Sequence, residues 1–334
     1  MSTATTLPVR TLGRDFSVSA LGFGAMGMSE FYGPSDDAAS TALLEELAAS
    51  GVTLIDTADQ YGLGHNEALI GAWLRHSPFK AQVQIATKCG IERSPAVGRR
   101  INNAPDYIRR CCDASLARLG VEQIDLYYLH RIDPAIPIEE SMDVMAGLVK
   151  AGKVAHVGLC EVGSATLARA HRVHPVTALQ TEYSLWSRDV EQGILATTRE
   201  LGIGFVAYSP LGRGFLSGRL TDPAQLADGD FRRTNPRFEG ANLAQNLGLL
   251  DTVRAVADAH AATPAQVALA WLLAQGEHIV PIPGTRRSSY LHENLGALNL
   301  TLSPADLARL DLATAPGKVH GTRYNADGMK ALNV

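Results

Sequence analysis

"LIDTADQYGLGHNE", residues 54–67, begins like the end of a buried strand and then loses its apolar character. Leu54 and Ile55 give way at once to Asp56, then to Asp59, Tyr61 and a glycine-flanked turn. Asp, Gly and Asn all suit a plain surface turn. A carboxylate at the mouth of a core, with a phenol five residues on, also suits a site built on a strand end. Whether the same unit recurs along the chain decides between them.

It does recur: a brief apolar run, a turn, then an amphipathic stretch. The runs are "SALGFG" (19–24), "GVTLID" (51–56), "VQIATK" (83–88), "IDLYYLH" (124–130), "VAHVGLC" (154–160), "VTALQ" (176–180), "IGFVAYS" (203–209) and "HIVPIPG" (278–284). They predict eight strands. Helical spacing follows in "SDDAASTALLEELAAS" (35–50), where Ser35 is the expected N-cap and Ala39, Leu43, Leu44 and Leu47 form one face. "NAPDYIRRCCDASLARLG" (103–120) carries Pro105 near its start and Gly120 at its end. Further helices are expected near 138–150, 163–173, 188–201, 264–275 and 287–298.

Short strands buried on both faces and alternating with helices pair in parallel through right-handed crossovers. Eight such units predict a closed (β/α)₈ TIM barrel, here with a short N-terminal hairpin cap from the turn-rich opening "TLGRDFSVSALGFG" and additional C-terminal helices. No linker divides the chain, so residues 1–334 are expected to form one domain. "LGFGAMGMSEFYG" and "GRGFLSG" are glycine-rich, but neither completes a G-x-G-x-x-G on a strand–turn–helix unit. That argues against a Rossmann domain. The irregular stretch 210–243 is too long for a mere connection, which points to a functional loop.

The composition narrows the function classes. A net charge of −4 with interspersed signs leaves no footprint for nucleic acid or an anionic membrane. No apolar run is long enough to span a bilayer, and four cysteines without scaffold spacing suit a reducing cytoplasm. Of the 30 basic residues only six are Lys, so a Lys at a strand end draws notice.

In a barrel, chemistry gathers at the carboxyl ends of the strands. Those ends read Gly22–Gly24, Asp56, Lys88, His130, Cys160–Glu161, Gln180, Tyr208–Ser209 and Pro283–Gly284. Seven ordered blocks carry a wider pattern: "IDTADQYGLGHNEALIG", "IATKCG", "DLYYLHRID", "LVKAGKVAHVGLCEV", "LQTEYSLWSR", "AYSPLGRGFLSG" and "IPIPGTRRSSYLHEN". From about residue 9 to the C-terminal "GTRYNADGMKALNV" the chain resembles the aldo-keto reductase family, in its bacterial, plant and potassium-channel beta-subunit branches more than its aldose-reductase branch.

The resemblance implies a catalytic tetrad of Asp56, Tyr61, Lys88 and His130. Reducing a carbonyl needs hydride at carbon and a proton at oxygen. A phenol with a pKa of ~10 is a weak acid, and an adjacent ammonium lowers that pKa. Asp56 then supplies the counter-charge that keeps Lys88 protonated when buried. His130 orients the carbonyl.

With no metal-ligand spacing, the electrons are expected from an organic carrier, which the resemblance makes NADPH/NADP+. By the same likeness Tyr208 stacks on the nicotinamide, and Gln180 holds its carboxamide with Cys160 and Glu161. Gly22, Phe23 and Gly24 approach the cofactor from the first strand, and Ser209, Leu211, Gly212, Gly214 and Leu216 cover the pyrophosphate. Gly284, Thr285 and Arg286 take the 2′-phosphate, and Tyr290, Glu293 and Asn294 face the adenosine. Cys160 departs from the Ser usual in relatives.

Phe23, Met26, Tyr32, Trp186 and Tyr324, with Tyr61 and His130, are expected to line the pocket for a small carbonyl substrate. Arg131 either attracts an anionic substrate group or faces solvent. Three activities remain open: reduction of aldehydes or reactive ketones, oxidation of a sugar or polyol, and a cofactor-binding partner subunit with little turnover. Oligomeric state is not legible.

Overall fold

Period-two alternation in the apolar runs places every second side chain inside a ring of strands. Along "IDLYYL", Leu126 and Tyr128 pack within the ring while Tyr127 and Leu129 pack outward against the helices. The computed structural model describes residues 7–332 apart from 95, 223 and 225. An antiparallel hairpin, β1 (Val9–Leu12) and β2 (Phe16–Ser19), precedes the ring. The ring strands that follow are β3 (Phe23–Gly24), β4 (Leu54–Asp56) and β5 (Gln84–Cys89). A second hairpin, β6 (Ile91–Ser94) and β7 (Gly98–Ile101), interrupts them. The ring resumes with β8 (Ile124–Leu129), β9 (Val154–Cys160), β10 (Ala178–Glu182), β11 (Gly204–Tyr208) and β12 (Ile279–Pro281).

All eight ring strands pair in parallel in the order β3-β4-β5-β8-β9-β10-β11-β12. The amide of Gly22 donates to Pro281 O at 2.9 Å and brings the two ends of the sheet together. The predicted barrel is present, and each of its strands overlaps one of the eight apolar runs.

Leu12, Phe16 and Val18 of the first hairpin close the floor, packing with Leu54, Ala86, Val206 and Val280 inside the ring. Burial of each such side chain contributes about 1.5–3 kcal/mol. Gly204 makes room for the plug, since a Cβ there would lie 2.4 Å from the Leu12 side chain. With the floor sealed, the opposite end of the barrel is the open one.

Around the ring lie α1 (Asp37–Ala49), α2 (His65–Leu74), α3 (Pro105–Leu119), α4 (Ile138–Lys150), α5 (Ser164–Val173) and α6 (Ile194–Leu201). They are followed by α7 (Gly240–Leu247), α8 (Leu249–Ala259), α9 (Pro264–Ala274) and α10 (Ser288–Gly296). The C-terminal helices α11 (Pro304–Ala313) and α12 (Ala326–Met329) come last. Asp36, not Ser35, caps α1: its carboxylate accepts from the Ala39 amide at 2.6 Å. Four elements have no counterpart in the sequence reading: α2, α7, α8 and the β6–β7 hairpin. No helix among the described residues is long and apolar enough to cross a membrane.

Candidate active site

The opening motif places its polar groups by geometry. Asp56 is the last residue of β4, Tyr61 follows on the cavity wall, and directly after it the chain turns through Gly62 and Leu63, both in the left-handed region. Lys88 is the penultimate residue of the next strand, and the His130 amide extends the following ladder by donating to Cys89 O at 2.7 Å. Three adjacent strand ends thus bring the four predicted residues together.

Lys88 is fully buried and donates to an Asp56 oxygen, to Thr57 O at 2.7 Å and to the Tyr61 hydroxyl at 3.3 Å. Asp56 receives Gln180 Nε2 on its other oxygen at 2.7 Å. Burial alone would strip Lys88 of its proton, but Asp56 and Tyr61 more than offset it and hold its pKa above the ordinary value. His130 lies edge-on to Tyr61, ring centroids 5.8 Å apart. Burial, Lys88, Arg131 and Arg99 drive His130 well below its usual pKa, so the imidazole is neutral at pH ~7.

Tyr61 differs from the sequence expectation. Lys88 does pull its pKa down, but burial pushes harder, and the phenol stands at about 12. It is therefore fully protonated, a state that suits a proton donor.

Above these residues opens a cavity of about 1130 Å³. Gly24, Met26, Tyr32, Arg131, Gln180, Tyr208, Ser209, Leu211, Gly214 and Tyr324 stand on its wall with Asp56, Tyr61 and His130. Gly284, Thr285, Arg286, Tyr290, Glu293 and Asn294 extend the lining along the loop after β12. The wall suits a dinucleotide. The Gln180 Oε1 accepts no hydrogen bond among the described residues, and the Tyr208 ring is fixed by its hydroxyl, which donates to Glu161 at 2.8 Å. Ser209 and Arg213 are non-glycine residues at positive φ, a costly conformation that tends to mark binding loops. A Cβ at Gly284 would sit 2.5 Å from Gly24 O, so only glycine permits this approach. Helix α10 starts without a side-chain cap, leaving its first amides open to an anion.

Seven expected contact residues do not line the cavity. Phe23 is buried among Leu43, Leu44 and Ile70 outside the ring, because a residue next to Gly24 on a strand faces the other way. The Gly22 position faces Leu54 and Ile282 within the barrel. Trp186 is core: it stacks on Phe215 at 3.9 Å and meets Phe238 edge-on. Gly212 packs on that indole, where a Cβ would lie 2.7 Å away, and buried Leu216 anchors the same loop.

Cys160 and Glu161 are both buried, away from the wall. The Cys160 thiol lies in the barrel interior, and burial pushes its pKa to about 12 against the pull of Lys88 and Arg131. Glu161, at φ 54°, turns its carboxylate to Arg323 (3.0 Å), Tyr208 and the Glu182 amide. Arg286 donates to the carbonyls of Tyr32 at 2.8 Å, Gly33 at 3.3 Å and Pro34. Glu293 is tied to Arg219 at 2.8 Å, and Arg219 and Arg287 both approach the Tyr290 ring.

Sequence reasoning passed over Arg323, Glu182 and Arg213. Arg213 donates to Glu182 at 2.8 Å, and its guanidinium lies over the Tyr324 ring at 4.7 Å. Arg323 stands inside the "GTRYN" block but 162 residues from Glu161, so no local pattern announces the pair. The β6–β7 hairpin brings Arg93, Arg99 and Arg100 to the cavity, and its turn signals in "IERSPAVGRRI" were legible.

Residues 20–314 match the Aldo/keto reductase family. The chain is 44% identical over 322 residues to an aldo-keto reductase of Schizosaccharomyces pombe, yakc, whose name specifies NADP(+); the match covers 95% of this chain and 94% of that protein. It is also 44% identical over 325 residues to "Probable aldo-keto reductase 1" of Glycine max, covering 97% and 93%. Among solved structures, the glycerol dehydrogenase AKR11B4 from Gluconobacter oxydans superposes with a TM-score of 0.84 at 26% identity, covering 94% of this chain and 96% of that one. The thermostable aldo-keto reductase Tm1743, solved with the inhibitor epalrestat, gives 0.74 at 30% identity, covering 92% and 100%.

Proposed function

Because the chain belongs to the aldo/keto reductase family, we propose that it reduces aldehydes or reactive ketones to alcohols with NADPH, using Asp56, Tyr61, Lys88 and His130. The observation that carries this reading is the protonated Tyr61 hydroxyl on the cavity wall, 3.3 Å from a buried ammonium and edge-on to a neutral imidazole. When bound, NADPH supplies hydride to the carbonyl carbon. Tyr61 gives its proton to the carbonyl oxygen, and the phenolate left behind is stabilised by Lys88. At ~4 Å and an effective dielectric near ~20 that attraction is of order 4 kcal/mol.

His130, kept neutral, donates to the same oxygen and fixes the carbonyl without adding charge. Asp56 keeps Lys88 charged through the cycle, and Gln180 holds Asp56 in place while offering its free oxygen to the cofactor amide. The glycine-rich turn around Gly214, with Ser209, Leu211, Gly284, Thr285 and Asn294, bounds the rest of the cofactor channel. A 2′-phosphate would draw Arg286 from the loop carbonyls it now holds.

Oxidation of a polyol is a second reading, favoured by the solved relative named as a glycerol dehydrogenase. It uses the same residues in reverse, with Tyr61 as base. NADPH consumption across a panel of aldehydes, NADP+ reduction with polyols, and both repeated in Tyr61→Phe test the pair of readings. Turnover that disappears in Tyr61→Phe while NADPH still binds supports the mechanism. Turnover that persists in Tyr61→Phe rejects it, and NADPH binding without turnover of any carbonyl or alcohol points to a partner-subunit role.

A further inference from the structure

The acids around the cavity are already matched by bases. Asp56 holds Lys88, Glu161 holds Arg323 at 3.0 Å, Glu182 holds Arg213 at 2.8 Å, and Glu30 holds Arg93 at 2.7 Å. Apart from Arg286 and Arg287 on the loop after β12, two arginines on the same wall are left over. Among the described residues neither Arg131 nor Arg99 has a carboxylate oxygen within 4.0 Å. Arg131 is buried beside His130, and its guanidinium makes one protein hydrogen bond, to the His130 carbonyl at 2.6 Å. Burial opposes its charge, but Tyr208, Tyr324 and Glu161 more than offset that and keep it protonated. Glu161 is the carboxylate that acts on it from a distance, and Arg323, Tyr208 and a backbone amide already occupy it.

Arg99 reaches the rim from the β6–β7 hairpin, where burial and then Arg131 disfavour its charge, and both arginines disfavour protonation of His130. The contrast with the neighbouring Arg100 is direct: its guanidinium is neutralised by Glu92 at 2.8 Å. A buried cation with unspent donors is costly unless a ligand completes it. Arg131, buried, and Arg99, exposed on the hairpin, line one cavity, and a guanidinium fork matches the paired oxygens of a carboxylate or phosphate.

We propose that the substrate is an anionic carbonyl compound, whose carboxylate or phosphate is held by Arg131 and Arg99 while its carbonyl meets Tyr61 and His130. This rests on the carbonyl-reduction reading above and narrows its substrate class. The two cations draw the anion inward and fix which end of the substrate reaches the tetrad. They act in binding, so their signature is a selectivity between charged and neutral forms of one skeleton.

The test compares kcat/KM for 4-oxobutanoate with its methyl ester, and for glyceraldehyde 3-phosphate with glyceraldehyde. The two arms separate carboxylate from phosphate. The expected result is a preference for the anion of at least about tenfold in one arm, seen in KM. Arg99→Gln and Arg131→Gln each reduce that ratio about tenfold, and Arg131→Lys falls between. Arg100→Gln, which removes a paired charge from the same hairpin, leaves the ratio unchanged.

A ratio near one in both arms, with neutral aldehydes turned over well, overturns the proposal and leaves the reductase reading standing. An equal fall for acid and ester in both Gln variants also overturns it, because that marks Arg131 and Arg99 as supports of His130. No turnover of any carbonyl, neutral or charged, overturns the reductase reading itself.

Discussion

On one side of the cavity Lys88 gives its ammonium to Asp56; on the other, Arg323 gives its guanidinium to Glu161 and Arg213 gives its to Glu182. Both are buried assemblies of opposite charge, and they do different work. Besides Asp56 and the Thr57 carbonyl, Lys88 has one titratable neutral contact, the Tyr61 hydroxyl on the cavity wall at 3.3 Å. That contact changes strength when the phenol loses its proton, so the pair can follow a reaction. Glu161 meets only fixed donors, and Glu182 is held below the usual carboxylate range by Arg213, Arg323 and Arg237 despite its burial. Nothing there trades protons near neutrality. Those pairs pin the loop after β11 and the C-terminal segment to the barrel, and so shape the cavity from which Tyr208 and Tyr324 project. A buried ion pair serves chemistry when one member faces a titratable group, and architecture when every member is saturated.

The sharpest way to break this contrast is Tyr61→Phe, which leaves the Lys88–Asp56 pair intact and removes only its responsive contact. Expected is a fall in kcat of about 10²- to 10⁴-fold with cofactor affinity retained, read by steady-state kinetics and a fluorescence titration. Arg323→Met attacks the other assembly. It strands Glu161 and is expected to cost about 3–5 kcal/mol in denaturant unfolding. At temperatures where the variant is folded, KM rises and kcat changes less. A collapse of kcat with unchanged stability would dissolve the distinction.

Asp59 sharpens the comparison through pH. Its amide donates to Lys88 O at 3.1 Å, and burial, with Glu67 adding, raises its carboxyl to about 7. An acid raised on folding contributes stability below its unfolded pKa of ~4, and that contribution is lost as pH rises through about 7. Asp59→Asn should therefore match the parent near pH ~4 and exceed it by about 2–4 kcal/mol near pH ~8, measured by urea unfolding at both. Equal stabilities at both pH values would refute the shift.

The smallest effect is expected at Cys160, the residue before Glu161. Its side chain packs with Leu126, Tyr128 and Val206, so Cys160→Ser puts a hydroxyl into an apolar interior at about 1 kcal/mol, with kcat/KM within about twofold. A marked gain in cofactor affinity would return this side chain to the binding wall.

What the chain disclosed by itself follows from range. Asp56, Lys88 and His130 sit at or beside strand ends that period-two runs mark out, so the barrel and the gathering of these side chains on one rim were readable, while the tetrad was named only through the family resemblance. Helix α2 was not, because Asn66, Glu67, Leu69, Ile70, Gly71, Trp73 and Leu74 are all buried and leave no polar face to set a 3.6-residue rhythm. Its Gly71 shows why: a Cβ would lie 2.2 Å from Arg118 O, so the helix is pressed against α3. Helices α7 and α8 follow an irregular stretch and were passed over with it. Cys160, Glu161 and Trp186 stand beside the motif residues in sequence, yet one turns inward, one turns to a distant arginine and one sinks into the core. A motif locates a neighbourhood, while facing is set by contacts that sequence proximity does not encode.

The two-residue strand β3 has a consequence for how the molecule holds together. Gly22 and Pro281 supply the closing bond of the ring, and Gly24 and Gly284 meet just above it on the cavity wall. The barrel is thus a strap with a short buckle, and the buckle lies inside the channel. Anything bound there leans on both free ends of the strap at once. A ligand in the channel would therefore brace the closure of the ring as well as fill the cavity.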